Sequence, residues 1–157
     1  MAAPAAAGVT TDLFAVAQRF IGVKETGGAT STPLVLAMLR LDASWVQDDQ
    51  TPWCSSFLNF VCFLLGAPRS RSLAARSWLL VGTSIPLTDA TVGNDVVILT
   101  RGPGKQPGPE VVAAPGHVGL YAGHDATHVS ILAGNQGDAV SIARFPKSRI
   151  LGIRRIA

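Results

Sequence analysis

The chain is 157 residues long, 48% hydrophobic and 15% charged, which excludes a disordered polypeptide and allows one domain with one substantial core. Its net charge of +3 and pI near 9.3 suit an anionic surface or polymer. The basic residues form no run of the nucleic-acid-binding kind, Arg154-Arg155 being the densest pair, and no apolar run spans a bilayer; neither nucleic-acid binding nor membrane insertion is expected.

Residues 1–9 are alanine-rich, with neither a positive n-region nor an adequate apolar core. They read as a flexible tail and predict that no Sec signal peptide directs the chain. Over residues 10–24, Leu13, Phe14, Ala17, Phe20 and Ile21 fall at helical spacing, capped by Thr11 or Asp12 and ended by Gly22. The run Gly27-Gly28-Ala29-Thr30-Ser31-Thr32-Pro33 reads as a flexible loop. A second helix starts at Pro33 and carries Leu34, Leu36, Ala37, Met38 and Leu41. After a polar connection over 42–50 containing Trp45, Asp49-Gln50-Thr51-Pro52-Trp53-Cys54 leads from a turn into an apolar helix that Gly66-Ala67-Pro68 closes. A shorter helix is predicted over 72–81, stopped by Gly82.

From there the pattern turns to β structure. Asp95-Val96-Val97-Ile98-Leu99 reads as a buried strand, and the segment 102–115, with Pro103, Pro107, Pro109 and Pro115, as a surface loop. Further strands are predicted over 117–122, 128–133, 139–143 and 152–156. Helices followed by an antiparallel meander, without internal repeats, predict a single α+β domain over 1–157.

The cysteine helix carries the first chemical signal. Thr51 can serve as N-cap with Pro52 at N1, which places Cys54 at N3. There, unpaired amides and the positive end of the helix dipole favour a thiolate. Cys54 and Cys62 share that helix; about 80° of rotation and ~12 Å of rise separate them, so they cannot form a disulfide. Free thiols point to folding in a reducing compartment, and Cys62 reads as core packing. With no C-x-x-C or Cys/His zinc spacing, neither a metal nor another cofactor is expected.

A nucleophile needs a base and an orienter. His124 and His128 flank the turn of a predicted hairpin and read as solvated. His117 begins a strand whose alternation puts His117, Gly119 and Tyr121 on one face; the next strand puts Val129, Ile131, Ala133 and Asn135 on one face. With a loop over 124–128, Tyr121 pairs with Ile131 and His117 falls opposite Asn135, where the amide can fix the imidazole. Cys54, His117 and Asn135 then make a nucleophile–base–orienter set, with the Cys54 amide at the oxyanion. Taken singly, each has a plainer role: core cysteine, strand-end histidine, turn asparagine.

In order along the chain, Lys24-Glu25, Thr51-Pro52-Trp53-Cys54-Ser55-Ser56-Phe57, Ala75-Arg76-Ser77-Trp78, Gly116-His117-Val118-Gly119-Leu120-Tyr121 and Gly134-Asn135-Gln136 resemble a phage and bacterial branch of the NlpC-like cysteine peptidases, related to the CHAP amidase/peptidases. The resemblance implies a papain-like α+β fold, with N-terminal helices on a C-terminal antiparallel sheet, and hydrolysis of an amide bond in bacterial peptidoglycan. It maps Cys54 and His117 onto nucleophile and base. Asn135 is expected as the third member, with Gln136 as its alternative. Asp49, Trp53, Arg76, Trp78 and Gln136 are expected along the groove; for Trp53, Arg76 and Trp78, helix packing and a salt bridge are the alternative. Family members without signal peptides reach the wall by phage holin release or by injection into a rival cell. This chain is therefore expected to be made in the cytoplasm and to act in the periplasm or wall as a lysin or effector, with a cognate immunity protein in the injected case. A monomer is the default expectation. A non-catalytic wall- or protein-binding module, or a deamidase-like thiol acyl-transfer enzyme, is the alternative.

Overall fold

Three helices come first in the computed structural model, which describes residues 10–26 and 30–157. The tail expected over 1–9 and the Gly27-Gly28-Ala29 part of the expected loop lie outside those residues. Helix α1 (Leu13–Ala17) starts where Asp12 Oδ1 accepts the Ala15 N–H at 2.7 Å, and a 3₁₀ turn (Gln18–Phe20) extends it. Helix α2 (Pro33–Arg40) has proline in its first turn and buries Val35, Met38 and Leu39. Helix α3 (Cys54–Leu65) ends at Gly66, whose φ of 63° provides the left-handed cap.

The segment expected as a helix over 72–81 is a 3₁₀ stretch instead, Ala75–Leu80. An α-helix starting at Ser72 would give its carbonyl to the Arg76 N–H. That carbonyl already accepts from Ser55 Oγ at 2.6 Å and Asn59 Nδ2 at 3.2 Å, both on α3, and backbone and side chain compete for it.

Six antiparallel strands follow: β1 (Thr83–Ser84), β2 (Asp95–Thr100), β3 (Gly116–His124), β4 (His128–Gln136), β5 (Ala139–Pro146) and β6 (Ile150–Arg155). Their order is β1-β6-β2-β3-β4-β5. The expected meander covers β2 to β5; β6 departs from it by returning between β1 and β2. Asp95 ties that return in place, accepting from Arg155 Nε and Nη2 at 2.8 Å each and from the Thr91 N–H at 2.7 Å. Burial opposes the Asp95 anion, but these donors hold its carboxyl below the usual range.

Both sheet faces are covered, which is why β2 reads as an unbroken apolar run. Val96, Ile98, Val118, Leu120 and Leu132 pack with Leu39, Phe57 and Val61 of the helices. Val97, Leu99, Tyr121, Ile131 and Ile153 form a second cluster against Ile85, Leu87 and Phe145. Among the described residues, no helix is long and apolar enough to cross a membrane.

Candidate active site

Helix α3 starts two residues later than its sequence predicts. Trp53 is the N-cap, with no side-chain cap bond, and Cys54 is the first helical residue, not the third. The Trp53 indole is engaged elsewhere: Nε1 donates to Glu25 Oε2 at 2.7 Å, and any side chain at Gly134 would lie 2.7 Å from its ring. The first intrahelical bond runs from the Phe57 N–H to the Trp53 carbonyl at 2.9 Å. The amides of Cys54, Ser55 and Ser56 therefore have no intrahelical partner and can face an anion.

The thiol is 3% exposed. Burial pushes its pKa above the ordinary 9.0, outweighing the amides of Val118, Ser55 and Cys54 and the charge of Arg101, all of which favour the thiolate. The helix start favours the thiolate, as expected, but burial outweighs it. The resting group is a thiol in an environment that stabilises the anion only in part.

His117 is 6% exposed, its ring 5.5 Å from that of Phe145. Its Nε2 lies 3.0 Å from Gln136 Oε1, while Gln136 Nε2 donates to the Ser141 carbonyl at 2.7 Å and to Ser141 Oγ at 3.2 Å. Proton positions follow from this chain. The Ser141 carbonyl only accepts, so the amide nitrogen must face it; the amide oxygen then faces His117, whose Nε2 must carry a proton. In the neutral ring, Nδ1 is left as the basic nitrogen. Burial lowers the His117 pKa below 6.5; Gln136 opposes that shift, while Arg101 and Arg149 reinforce it.

Asn135 does not occupy the orienting position. Ala133 pairs with Ser141 and Gln136 with Ala139, so β4 spends three residues where β5 spends two. Asn135 takes a φ of 58° inside this bulge. The extra residue inverts the alternation and turns Gln136 onto the face of Ala133 and His117. The expected Tyr121–Ile131 pair is present, and Leu120–Leu132 is the last β3–β4 pair toward the site.

Two cavities adjoin these residues. A cavity of about 430 Å³ is lined by His117, Asn135, Gln136, Ser141, Phe145 and Arg149, among others. A smaller one of about 280 Å³ is lined by Pro52, Cys54, Leu73, Pro115 and Gly116, among others. Arg101 lines both. Cys54 and His117 make no direct hydrogen bond; the Val118 amide, next to His117 on β3, is the group on that strand that acts on the thiol.

Four residues expected along a groove are buried instead. Trp53 and Trp78 are core, the Trp78 Nε1 donating to Ser55 Oγ at 3.0 Å. Arg76 is fully buried and donates to the carbonyls of Pro107, Gly108, Val111 and Pro115, which pins the proline-rich loop rather than forming a surface salt bridge. Asp49 accepts from the amides of Thr26 and Thr32 at 3.0 and 2.7 Å. These bonds outweigh burial and keep its carboxyl ionised below the usual range. Sequence reading missed Ser141, Phe145, Arg101 and Arg149. The alternation of β5, which puts Ser141, Ala143 and Phe145 on one face, held a signal for the first two. Among the described residues, no cluster of three His, Cys, Asp or Glu is placed to hold a metal ion.

Neither a protein-family model nor a curated protein matches the chain. Among solved structures it is similar to NlpC1 from Trichomonas vaginalis, with a TM-score of 0.55 and 18% identity, over 92% of this chain and 42% of that one. At that identity the likeness is one of fold: an α+β, NlpC-like arrangement of a few helices on a six-stranded antiparallel sheet. The chain spans 42% of that protein's length.

Proposed function

We propose that the protein is a cysteine-dependent hydrolase that cleaves an amide bond in the stem peptides of bacterial peptidoglycan. The observation that carries this reading is the His117–Gln136–Ser141 chain, a buried imidazole with one nitrogen fixed as donor and the other left basic, beside a cysteine at a helix start. Supporting it are the motifs around Cys54 and His117 and the NlpC-like fold.

In the proposed reaction, Cys54 Sγ attacks the scissile carbonyl as its proton passes to His117 Nδ1. The resting pair is neutral, so proton transfer accompanies attack. The oxyanion is received by the amides at the start of α3. His117 then returns the proton to the leaving nitrogen as the C–N bond breaks, leaving a thioester. Water, deprotonated by His117, attacks the thioester, releasing the acid and restoring the thiol. In this reading Gln136, the alternative to Asn135, is the residue that orients His117. The cellular role is that of an injected antibacterial effector or a phage lysin, and a cognate immunity protein covering the cleft belongs to the first.

The test is to incubate the protein and a Cys54→Ala variant with peptidoglycan and identify fragments by mass spectrometry. New stem-peptide fragments from the native protein alone are expected, and their masses name the bond. No fragments, or equal fragments from the variant, sink the proposal. A second reading, a non-catalytic binding module of the same fold, is favoured by the burial of Cys54 and its missing hydrogen bond to His117. Sedimentation with peptidoglycan and no fragmentation would select it.

A further inference from the structure

The β3–β4 ladder ends at Leu120–Leu132, and beyond it the two strands carry different parts of the site: His117 and Val118 on β3, the Gly134–Gln136 bulge on β4. The start of α3 touches both. Cys54 lies at the Val118 amide, and the Trp53 ring lies against Gly134, where a Cβ would meet Cε3 and Cζ3 at 2.7 Å each. Trp53 is also the residue whose backbone turns the chain into α3, with φ −125° and ψ 16°, and it is fully buried. A rotation there carries Cys54 with it.

Trp53 is held by a strap, residues 22–26. At one end the strap lies along β5. The Gly22 N–H donates to the Val140 carbonyl at 3.0 Å, the Val140 N–H to the Val23 carbonyl at 2.7 Å and the Glu25 N–H to the Asp138 carbonyl at 2.9 Å. At the other end it is joined to the approach to α3. Glu25 Oε2 accepts from Trp53 Nε1 at 2.7 Å, Asp49 Oδ2 accepts from the Thr26 N–H at 3.0 Å, and Gln50 Nε2 donates to the Thr26 carbonyl at 3.1 Å. Asp138 and Ala139 follow the bulge, and Ala139 pairs with Gln136. The contacts thus close a ring, from Gln136 through Ala139, Asp138 and Glu25 to Trp53 and back through Gly134. A buried indole N–H can only donate and needs its acceptor, so the Glu25 bond is the link on which the ring depends. We infer that Glu25 is a positioning residue: through the Trp53 indole it fixes the backbone of Cys54 relative to His117 and Gln136. Its effect on rate rests on the hydrolase reading, whereas its effect on the placement of Cys54 does not.

Glu25→Ala, Glu25→Gln, Trp53→Phe and the double variant Glu25→Ala/Trp53→Phe test it, on soluble peptidoglycan fragments and by NMR. Glu25→Ala is expected to lower kcat by about 10- to 100-fold with KM within about threefold of native, the pattern of a displaced reacting group rather than of lost substrate contacts. The Gly134 α-proton resonances, set by the Trp53 ring current, and the Val118 amide resonance should both move in Glu25→Ala. Glu25→Gln keeps an acceptor oxygen for the indole and should restore kcat to within about threefold of native, along with both resonances. In the Trp53→Phe background, Glu25→Ala should cost nothing further, because its partner is already gone. The resonances report folded protein alone, so a smaller folded fraction does not imitate the result. A native kcat in Glu25→Ala, a Glu25→Gln as defective as Glu25→Ala, a further loss in the double variant, or a fall in kcat with both resonances in place overturns the inference and leaves the hydrolase standing. No turnover by the native protein overturns the hydrolase reading. In that case resonances displaced in Glu25→Ala and restored in Glu25→Gln keep the positioning role, and any other pattern overturns both.

Discussion

Gln136 bridges His117 and Ser141, accepting from the imidazole Nε2 at 3.0 Å and donating to the Ser141 carbonyl at 2.7 Å. The bridge decides both the ring's tautomer and its orientation. Gln136→Ala is therefore expected to lower kcat/KM by about 10- to 100-fold, the scale of a misplaced catalytic group. It should also lower the His117 pKa further, because the Gln136 hydrogen bond is the contribution that raises it. Asn135→Ala should leave that pKa in place. Imidazole NMR titration of the three proteins separates the cases; a shift in Asn135→Ala with none in Gln136→Ala would reverse the assignment.

The directions of the two pKa shifts set a pH window. Cys54 lies above 9.0 and His117 below 6.5, so thiol and imidazole are both neutral at pH 7. Iodoacetamide should alkylate Cys54 slowly at neutral pH and faster only on the alkaline side of about 9. The acid limb of kcat/KM should fall below pH 6.5, where His117 protonates. Stability follows the same sign. The folded His117 pKa is depressed, so its contribution is full above about 6.5 and is lost as pH falls through the lower folded value. Denaturation midpoints of native protein and His117→Gln should differ least at low pH. A neutral-pH alkylation rate typical of a free, ionised thiol would contradict this account.

The strand alternation in the sequence was enough to place Tyr121 opposite Ile131 and to put His117 on the face that reaches the next strand. It failed at Asn135 because period-two reasoning cannot see an inserted residue. Asparagine is among the few residues that tolerate a left-handed backbone, and Gly134 and Gly137 beside it made a turn or bulge equally legible. The start of α3 was misplaced for a different reason. Thr51-Pro52 is a sound local capping signal, yet the Trp53–Glu25 bond spans 28 residues and no local rule contains it. Arg76 and Trp78 carry the same lesson. Their chemistry suits a groove, but their partners, Pro115 at 39 residues and Ser55 at 23, are distant in sequence and draw them inside. Two-residue β1 and the return of β6 between β1 and β2 left no periodic trace.

Glycines at the site are there for room. A methyl group on Gly119 would lie 2.7 Å from Ala133 Cβ and 2.8 Å from the Leu132 carbonyl oxygen, and one on Gly134 would lie 2.8 Å from Phe57 Cβ. Either alanine must push β4 away from β3 or from α3. Gly119→Ala and Gly134→Ala are each expected to destabilise by about 1–3 kcal/mol, the range for overpacking. Gly123→Ala, with no atom within 4 Å of the new carbon but a φ of 129°, should lose stability through backbone strain alone and leave the His117 NMR signal unmoved. Chemical denaturation with NMR checks both, and wild-type stability in Gly119→Ala would sink the steric argument.

Arg76 ties the proline-rich loop to the body of the protein, and through it the wall of the Cys54 cavity. Its guanidinium donates to four loop carbonyls, with no carboxylate among its partners, and its Nη2 is buried without a partner among the described residues. Ala113, Ala114 and Pro115 of that loop line the Cys54 cavity. Arg76→Met keeps much of the volume and removes every donor. Water can rescue the exposed carbonyls only if the loop moves outward, so the expected cost is about 2–4 kcal/mol with the loop opened. Limited proteolysis should nick 103–115 in the variant before the rest of the chain, and KM should rise more than kcat falls, since His117 is held by the β2–β3 pairing of Leu99 with His117 and by Gln136. Arg76→Lys should not restore protection, because one ammonium cannot reach carbonyls spread from Pro107 to Pro115. A lysine variant as resistant as the native protein would mean that charge, and not the shape of the fork, holds the loop.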